Sequence, residues 1–486
     1  MPASKAKKIE SPTSFKGMRD ILEPEYFAYQ GFFEKASEIA LYYGFKPIEL
    51  PILEKEELFT ECIGEGTDIL DKEMYSLKTK GGHHLAMRPE GTAGVVRAYI
   101  EHGMNAWPQP VMLYYYGSFF RHENSEHGKL REFRQFGVEI LGTQKSIADA
   151  LVIKVMYAIL EEAGFKNLVV HINSIGDKES QHARSKELVT FYKKNMEGIC
   201  ADCRQRIKTN PMRLLDCKNE RCQELKKSAP DSVSSLSLES KKHFKEVLEY
   251  LDAMNVTYEI DNNLVRGLDY YSETVFEIVN VLGKTEEEEA AKEKEAFAKD
   301  EKVKAKEKAL LASLQPETTV TEDDESGECK DAGKNEMGES SLPLAIVGGG
   351  RYDNLAKMLG FKKELPCVGA SIGVDRVIKS TANRPIESRL NKKPKIYFIQ
   401  LGFEAKLKSL TIIEMLRKAR IPIRQSLAKD RLSAQLLVAE RLKVPYTIIL
   451  GQREALDNTV IVRNMETREQ ETIKVSELMN YIKKEI

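Results

Sequence analysis

The chain has 486 residues, 42% of them hydrophobic and 31% charged, with 74 basic residues against 75 acidic. That length exceeds one ordinary domain of about 100–200 residues and suggests two to four. The balance excludes a disordered chain, no apolar run approaches the roughly 20 residues of a membrane helix, and a net charge of −1 leaves any nucleic-acid contact to local patches.

Met1 to Lys8 are basic, but no apolar stretch follows, so they read as a cytoplasmic tail and not as a secretory signal. From Glu25 to Tyr43 apolar residues recur at helical spacing, and Gly44 stands where a C-terminal cap belongs. Phe45 to Leu53 reads as one short strand, interrupted by Pro47 and Pro51 and therefore suited to an edge. Two strand patterns, Val111–Arg121 and Arg131–Leu141, flank a polar loop and predict a long antiparallel hairpin.

Residues 173–260 change character: charged, helix-forming, with one edge-strand signal at Val256–Ile260, they read as a mostly helical insertion between core segments 1–172 and 261–385. Strand patterns return at Leu264–Val281 and Leu344–Val347. Between them, 284–340 is rich in Glu, Lys, Ala and Ser and poor in aromatics, a composition that predicts a solvated helix followed by a disordered acidic stretch. From 394 to 486 strands and helices alternate as in a separate α/β domain. The class expected is α+β, an antiparallel sheet flanked by helices with an α/β domain appended.

Four of the seven cysteines form the series Cys200, Cys203, Cys217 and Cys222, close to zinc-ribbon spacing although the last gap is longer than the common two. The residues leave two readings open, a structural Zn²⁺ or ordinary thiols.

The hairpin tip joins Arg121, His122, Glu123, Lys129 and Arg131 to Phe133. Arginine forks match phosphate oxygens and an aromatic face stacks on adenine, although a solvated charged tip would read the same way. A second arginine element, Gly369-Ala-Ser-Ile-Gly-Val-Asp-Arg376, is a small-residue strand feeding a helix, and it favours the nucleotide reading. Together the two resemble motifs 2 and 3 of the class II aminoacyl-tRNA synthetases, with Pro51 at the place of the motif 1 proline. Met87-Arg-Pro-Glu-Gly-Thr92, Leu264-Val-Arg-Gly-Leu-Asp-Tyr-Tyr271 and Gly348-Gly-Gly-Arg-Tyr-Asp353 resemble the histidyl-tRNA synthetase family specifically.

The resemblance implies a homodimer that binds ATP with Mg²⁺, L-histidine and tRNA(His). It implies that Glu90, Thr92 and Gln135 hold the amino group of histidine and that Glu139, Tyr271 and Tyr352 hold its imidazole. Arg266 and Arg121 would act on the α-phosphate, Arg376 would hold the γ-phosphate and Phe133 would stack on adenine. In the C-terminal domain, which resembles the family's anticodon-binding domain, Arg424, Lys429, Arg431, Arg441 and Lys443 would follow tRNA phosphates. A catalytically decayed regulatory relative would lack Arg121, Arg266, Tyr271, Arg376 and the C-terminal domain, all of which the sequence contains.

Overall fold

A computed structural model describes residues 12–64, 67, 69–123, 130–217, 219–281, 345–381, 384–427 and 430–485. The 284–340 insertion, Lys129 and Lys429 lie outside them. The chain divides into two units, residues 1–387 and 388–486.

The first unit begins with helix α1 (Glu25–Tyr42). Gly44 ends it at φ +89°: its N–H donates to the Leu41 carbonyl and the N–H of Phe45 to that of Ala40, a closure that needs a left-handed residue. The chain then departs from the single strand expected. Lys46–Pro47 (β1) pairs in parallel with one sheet, whereas Leu53–Lys55 (β2) joins another, a three-stranded sheet with Ser76–Lys78 (β3) and His84–Met87 (β4). Pro47 has no donor to give and sits on an edge strand, and the chain between the prolines crosses from one sheet to the other. Helices α2 (Glu57–Ile63) and α3 (Thr92–Glu101) follow β2 and β4.

The hairpin forms as expected. Val111–Phe120 (β5) pairs antiparallel with Glu132–Leu141 (β6), in unbroken register from Val111 opposite Leu141 to Phe120 opposite Glu132. Beyond it come helix α4 (Ser146–Glu162), Leu168–Ser174 (β7), Tyr258–Ile260 (β8), Ser272–Asn280 (β9), Ala345–Arg351 (β10) and Cys367–Gly373 (β11). They complete an eight-stranded sheet ordered β1-β5-β6-β11-β10-β9-β7-β8. The edge strand expected at Val256–Ile260 is β8. The strand expected from Leu264 begins only at Ser272, because a turn closes from Leu264 N–H to the Asp261 carbonyl and Gly267 follows within the irregular tract. Between β7 and β8 lie α5 (Lys178–Lys194), α6 (Ala201–Thr209), α7 (Glu220–Lys226) and α8 (Leu238–Ala253).

Successive residues of β6 point to opposite faces. Phe136, Val138 and Ile140 enter the main core with Phe32, Ala36 and Ala40 of α1 and Val152, Ile153 and Met156 of α4. Each of the larger side chains among them contributes roughly 1.5–3 kcal/mol when fully withdrawn from water. Under this core Arg351 and Asp149, both almost fully buried, form an ion pair that His243 of α8 extends, its Nε2 lying 3.3 Å from Asp149 Oδ1. Burial alone would raise the Asp149 pKa, but Arg351 and His243 hold it below the usual carboxylate range.

The second unit carries Ile396–Gln400 (β12), Ile423–Gln425 (β13), Tyr446–Leu450 (β14), Thr459–Asn464 (β15) and Gln470–Lys474 (β16), in the order β13-β12-β14-β15-β16. The first three are parallel and separated by helices Phe403–Lys418 and Leu432–Arg441, as expected; the antiparallel β15–β16 hairpin is an addition that the sequence reading missed.

Candidate active site

The face of β6 opposite the core carries Gln135, Gly137 and Glu139, and register extends each into a lane across the sheet. Gly117, Gln135 and Gly373 form one lane. Tyr115, Gly137, Ser371, Gly348 and Glu277 form the next. Leu113, Glu139, Gly369, Gly350 and Val275 form the third. The middle of this face is thus paved with glycine and serine, which leaves room above the strands for other groups. Those groups fill it closely: a methyl on Gly137 would strike the Tyr115 ring, one on Gly348 the Arg266 guanidinium and one on Gly369 the Glu139 carboxylate.

Glu139 is fully buried, accepting hydrogen bonds from Thr92 Oγ1 at 2.8 Å, Tyr352 Oη at 2.5 Å and, more weakly, Tyr115 Oη at 3.4 Å. Burial pushes its pKa up to about 8 against the opposing effect of these donors. Glu90 is also buried and its pKa raised by burial, although the backbone N–H groups of Ala93 at 2.9 Å and Thr92 at 2.7 Å favour its charge. Those N–H groups are the first of α3, so Glu90 meets the positive end of that helix. Tyr270 Oη reaches Glu90 at 3.4 Å, and the Tyr270 ring packs on Tyr271 and Tyr352 with centroids 4.8 and 5.8 Å apart.

Arg266 crosses over Gly348 to pair with Glu277, 6.0 Å from the Tyr271 ring. The nearby carboxylates of Asp269 and Asp353 have other partners: Asp269 is held by Arg213 and Asn210, and Asp353 by Arg351. Burial works against the charge of Arg266, and Tyr271 and Glu277 outweigh it, so its pKa is raised.

Arg121 leaves the sheet past the Gln135 lane, donates from Nε to the Pro89 carbonyl at 2.9 Å and lies 5.3 Å over the Phe133 ring. Arg376 leaves past the same lane, on the helix Val374–Ser380 that follows β11, exposed and bonded to the Ala345 carbonyl. Arg131 turns instead to the Glu123 carbonyl and the Phe15 ring.

Contacts therefore run continuously through Arg121, the Pro89–Thr92 turn, Glu139, Tyr352, Tyr270, Tyr271 and Arg266. Two buried polar atoms in this region, Gln135 Oε1 and Arg266 Nε, have no protein partner. Buried polar atoms ordinarily find one, so both are candidate ligand contacts. Sequence reasoning missed Tyr115, Tyr270 and Glu277. The paired tyrosines of the Leu264–Tyr271 tract were a signal for Tyr270, whereas Tyr115 and Glu277 are defined only by strand register.

A family model described as histidyl-tRNA synthetase matches residues 17–288. The chain belongs to the histidyl-tRNA synthetase family. An anticodon binding domain model matches residues 395–485. A histidine–tRNA ligase of Desulforamulus reducens is 33% identical over 96% of this chain and 98% of its own length. One of Caldicellulosiruptor saccharolyticus is 34% identical over 99% of this chain and 100% of its own. The crystal structure of apo S. aureus histidyl-tRNA synthetase superposes with a TM-score of 0.71 at 28% identity, covering 97% of this chain and 99% of that one. The expected fold class and family are those found. Among the described residues no helix is long and apolar enough to cross a membrane.

Proposed function

We propose that this chain is a histidine–tRNA ligase, which joins histidine to ATP as histidyl-adenylate and then passes the histidyl group to the 3′ end of tRNA(His), releasing diphosphate and AMP. The observation that carries this reading is the buried Glu139 carboxylate in one lane of a glycine-paved face whose other end is flanked by Arg121 and Arg376. Glu139 and Gln135 are four strand residues apart, about 13 Å between α-carbons, a separation that suits the opposite ends of one small amino acid. Glu139 takes the imidazole N–H, with Tyr271 and Tyr352 beside it. Glu90, Thr92 and the unpartnered Gln135 Oε1 receive the ammonium group.

The histidine carboxylate attacks the α-phosphate between Arg266 and Arg121, and positioning and charge neutralisation lower the barrier. Phe133 stacks on adenine and Arg376 meets the γ-phosphate. ATP enters as its Mg²⁺ complex, the ion travelling with the β- and γ-phosphates as part of the substrate. In the second unit exposed Arg424, Arg431, Arg441 and Lys443 follow tRNA phosphates. Exposed Pro51, Ile52 and Leu53, together with exposed Leu41 and Tyr42 at the end of α1, supply apolar surface for a homodimer interface. The enzyme works in the cytoplasm.

ATP–diphosphate exchange across the twenty amino acids tests this directly. Histidine alone should support exchange, and charging should need tRNA(His); exchange with another amino acid, or none with histidine, overturns the reading.

A further inference from the structure

The region between β7 and β8 contains a small core of its own, built from Leu188 and Tyr192 of α5, Ile199, Ile207 of α6, Leu214 and Leu215, and the four cysteines of the spaced series. The helices that support it are short: α6 has nine residues and α7 seven. Helices of that length are marginal alone, and a core this small ordinarily needs a covalent or metal staple.

The four sulfurs meet in one place. Cys200, Cys203, Cys217 and Cys222 present sulfur atoms that all lie within 4.8 Å of one another, and Cys200 Sγ is 3.8 Å from Cys217 Sγ. A tetrahedron of thiolates around Zn²⁺ at a Zn–S distance of about 2.3 Å has edges of about 3.8 Å. Iron–sulfur clusters place iron and sulfide between their thiolates and hold them farther apart. All four cysteines are free thiols, three buried and Cys200 half-buried.

The backbone is arranged for thiolates. The Cys203 N–H donates to Cys200 Sγ at 3.4 Å, and the Cys200 N–H to Cys222 Sγ at 3.2 Å. Cys200 is also the N-cap of α6, where the first N–H groups of the helix favour negative charge. Two ligands come from this helix start, a third directly follows the Pro211–Asp216 turn, and the fourth lies in α7. The spacing, the sulfur separations and the N–H donors are independent features that favour one ion.

We infer that Cys200, Cys203, Cys217 and Cys222 bind a single Zn²⁺ as a closed tetrathiolate that holds α5, α6 and α7 together. Four thiolates leave no open coordination position, so the ion is structural and takes no part in the reaction. Its reach nonetheless extends to the site. The turn that ends at Cys217 carries Arg213, which holds Asp269 Oδ1 from Nη2 at 3.0 Å and from Nε at 3.2 Å, while Asn210 donates to the same oxygen at 3.0 Å. Asp269 precedes Tyr270 and Tyr271, so the metal fixes the turn that steadies the tract carrying Arg266.

The test uses the full chain, expressed with zinc in the medium and passed over a weak chelator before elemental analysis. About one zinc per chain should remain, and a mercurial reagent should release it in step with the titration of four thiols. Substituting Co²⁺ should give the intense visible absorption of a tetrahedral tetrathiolate, a readout that needs no variant. The double variant Cys217→Ser/Cys222→Ser should lose the zinc, and protease should then cut within 178–236 more than tenfold faster. Metal-free native protein, iron in place of zinc, disulfides among these four cysteines, or zinc retained by a folded double variant would each overturn the inference.

Discussion

Strand β6 presents two regions of opposite design, one residue apart. On one face Phe136, Val138 and Ile140 interlock with α1 and α4 and leave no polar group to satisfy. On the other, Gln135, Gly137 and Glu139 give up apolar packing for a buried carboxylate, a missing side chain and an amide oxygen without a partner. The first face produces stability through apolar burial and close packing. The second gives up stability for groups whose value appears only when a ligand is present, so substitutions on the two faces should separate folding from catalysis.

The largest expected effect lies on the packed face. Phe136 stacks on Tyr114 and meets Phe32 edge-on, and Phe136→Ala should cost about 3–5 kcal/mol of stability through the cavity it leaves. The molecules that remain folded should keep a near-normal histidine KM in diphosphate exchange. A large rise in KM without a lower denaturation midpoint would erase the division between the faces.

Arg266→His should do the reverse. Losing charge at the α-phosphate should lower kcat for adenylate formation by about 10²–10³-fold, equivalent to about 2.7–4 kcal/mol, with little change in histidine binding. Equilibrium histidine binding and single-turnover adenylation separate the two effects, and an unchanged rate with weakened binding would make Arg266 a ground-state contact only.

Glu139→Gln keeps volume and exchanges a charge-assisted acceptor for a neutral one. Histidine KM should rise by a factor that corresponds to roughly 1–3 kcal/mol, while ATP KM stays within twofold. Equal histidine KM values for the two proteins would place Glu139 outside the histidine site.

The smallest effect is the most diagnostic. Because burial lifts the Glu139 pKa to about 8, its carboxyl holds a proton in the ligand-free protein through neutral pH and competes with the imidazole N–H. Histidine KM, corrected for titration of the free amino acid near about 6.5, should fall several-fold from pH 6.5 to 8, and Glu139→Gln should flatten that slope. The sign for folding is opposite. The native state binds this proton more tightly than the unfolded chain, so its contribution to stability declines as pH rises from the ordinary carboxylate range to about 8. A KM profile identical in the variant would assign the pH dependence elsewhere.

What was legible in the sequence follows the same division. The hairpin was visible because a strand pattern sustained over ten residues, met again after a short polar loop, suits no element as well as two paired strands. The site tracts were visible because their residue types are unusual in combination. Tyr115 and Glu277 were not visible. Glu277 is brought to Gly348 by pairing across the long insertion, and Tyr115 to Gly137 by the register of the hairpin, which the strand pattern alone does not fix. The strand expected from Leu264 failed for a related reason: Leu264–Tyr271 has strand composition, yet its aromatic residues are used in the site and not on a pleated ladder. Arg376 was legible as an arginine on a helix after a small-residue strand, although its present bond to the Ala345 carbonyl was not.

Ile346 and Val347 anchor the start of β10 in the core, but Gly348, Gly349 and Gly350 give the stretch that crosses the site no side chains with which to fix its alignment. Arg351 fixes it. A slip of one residue would withdraw its guanidinium from Asp149 and leave that buried carboxylate with His243 alone, a loss of about 3–5 kcal/mol. The buried ion pair is thus a key cut to one position, which lets a stretch of three glycines still find a single register when the chain folds.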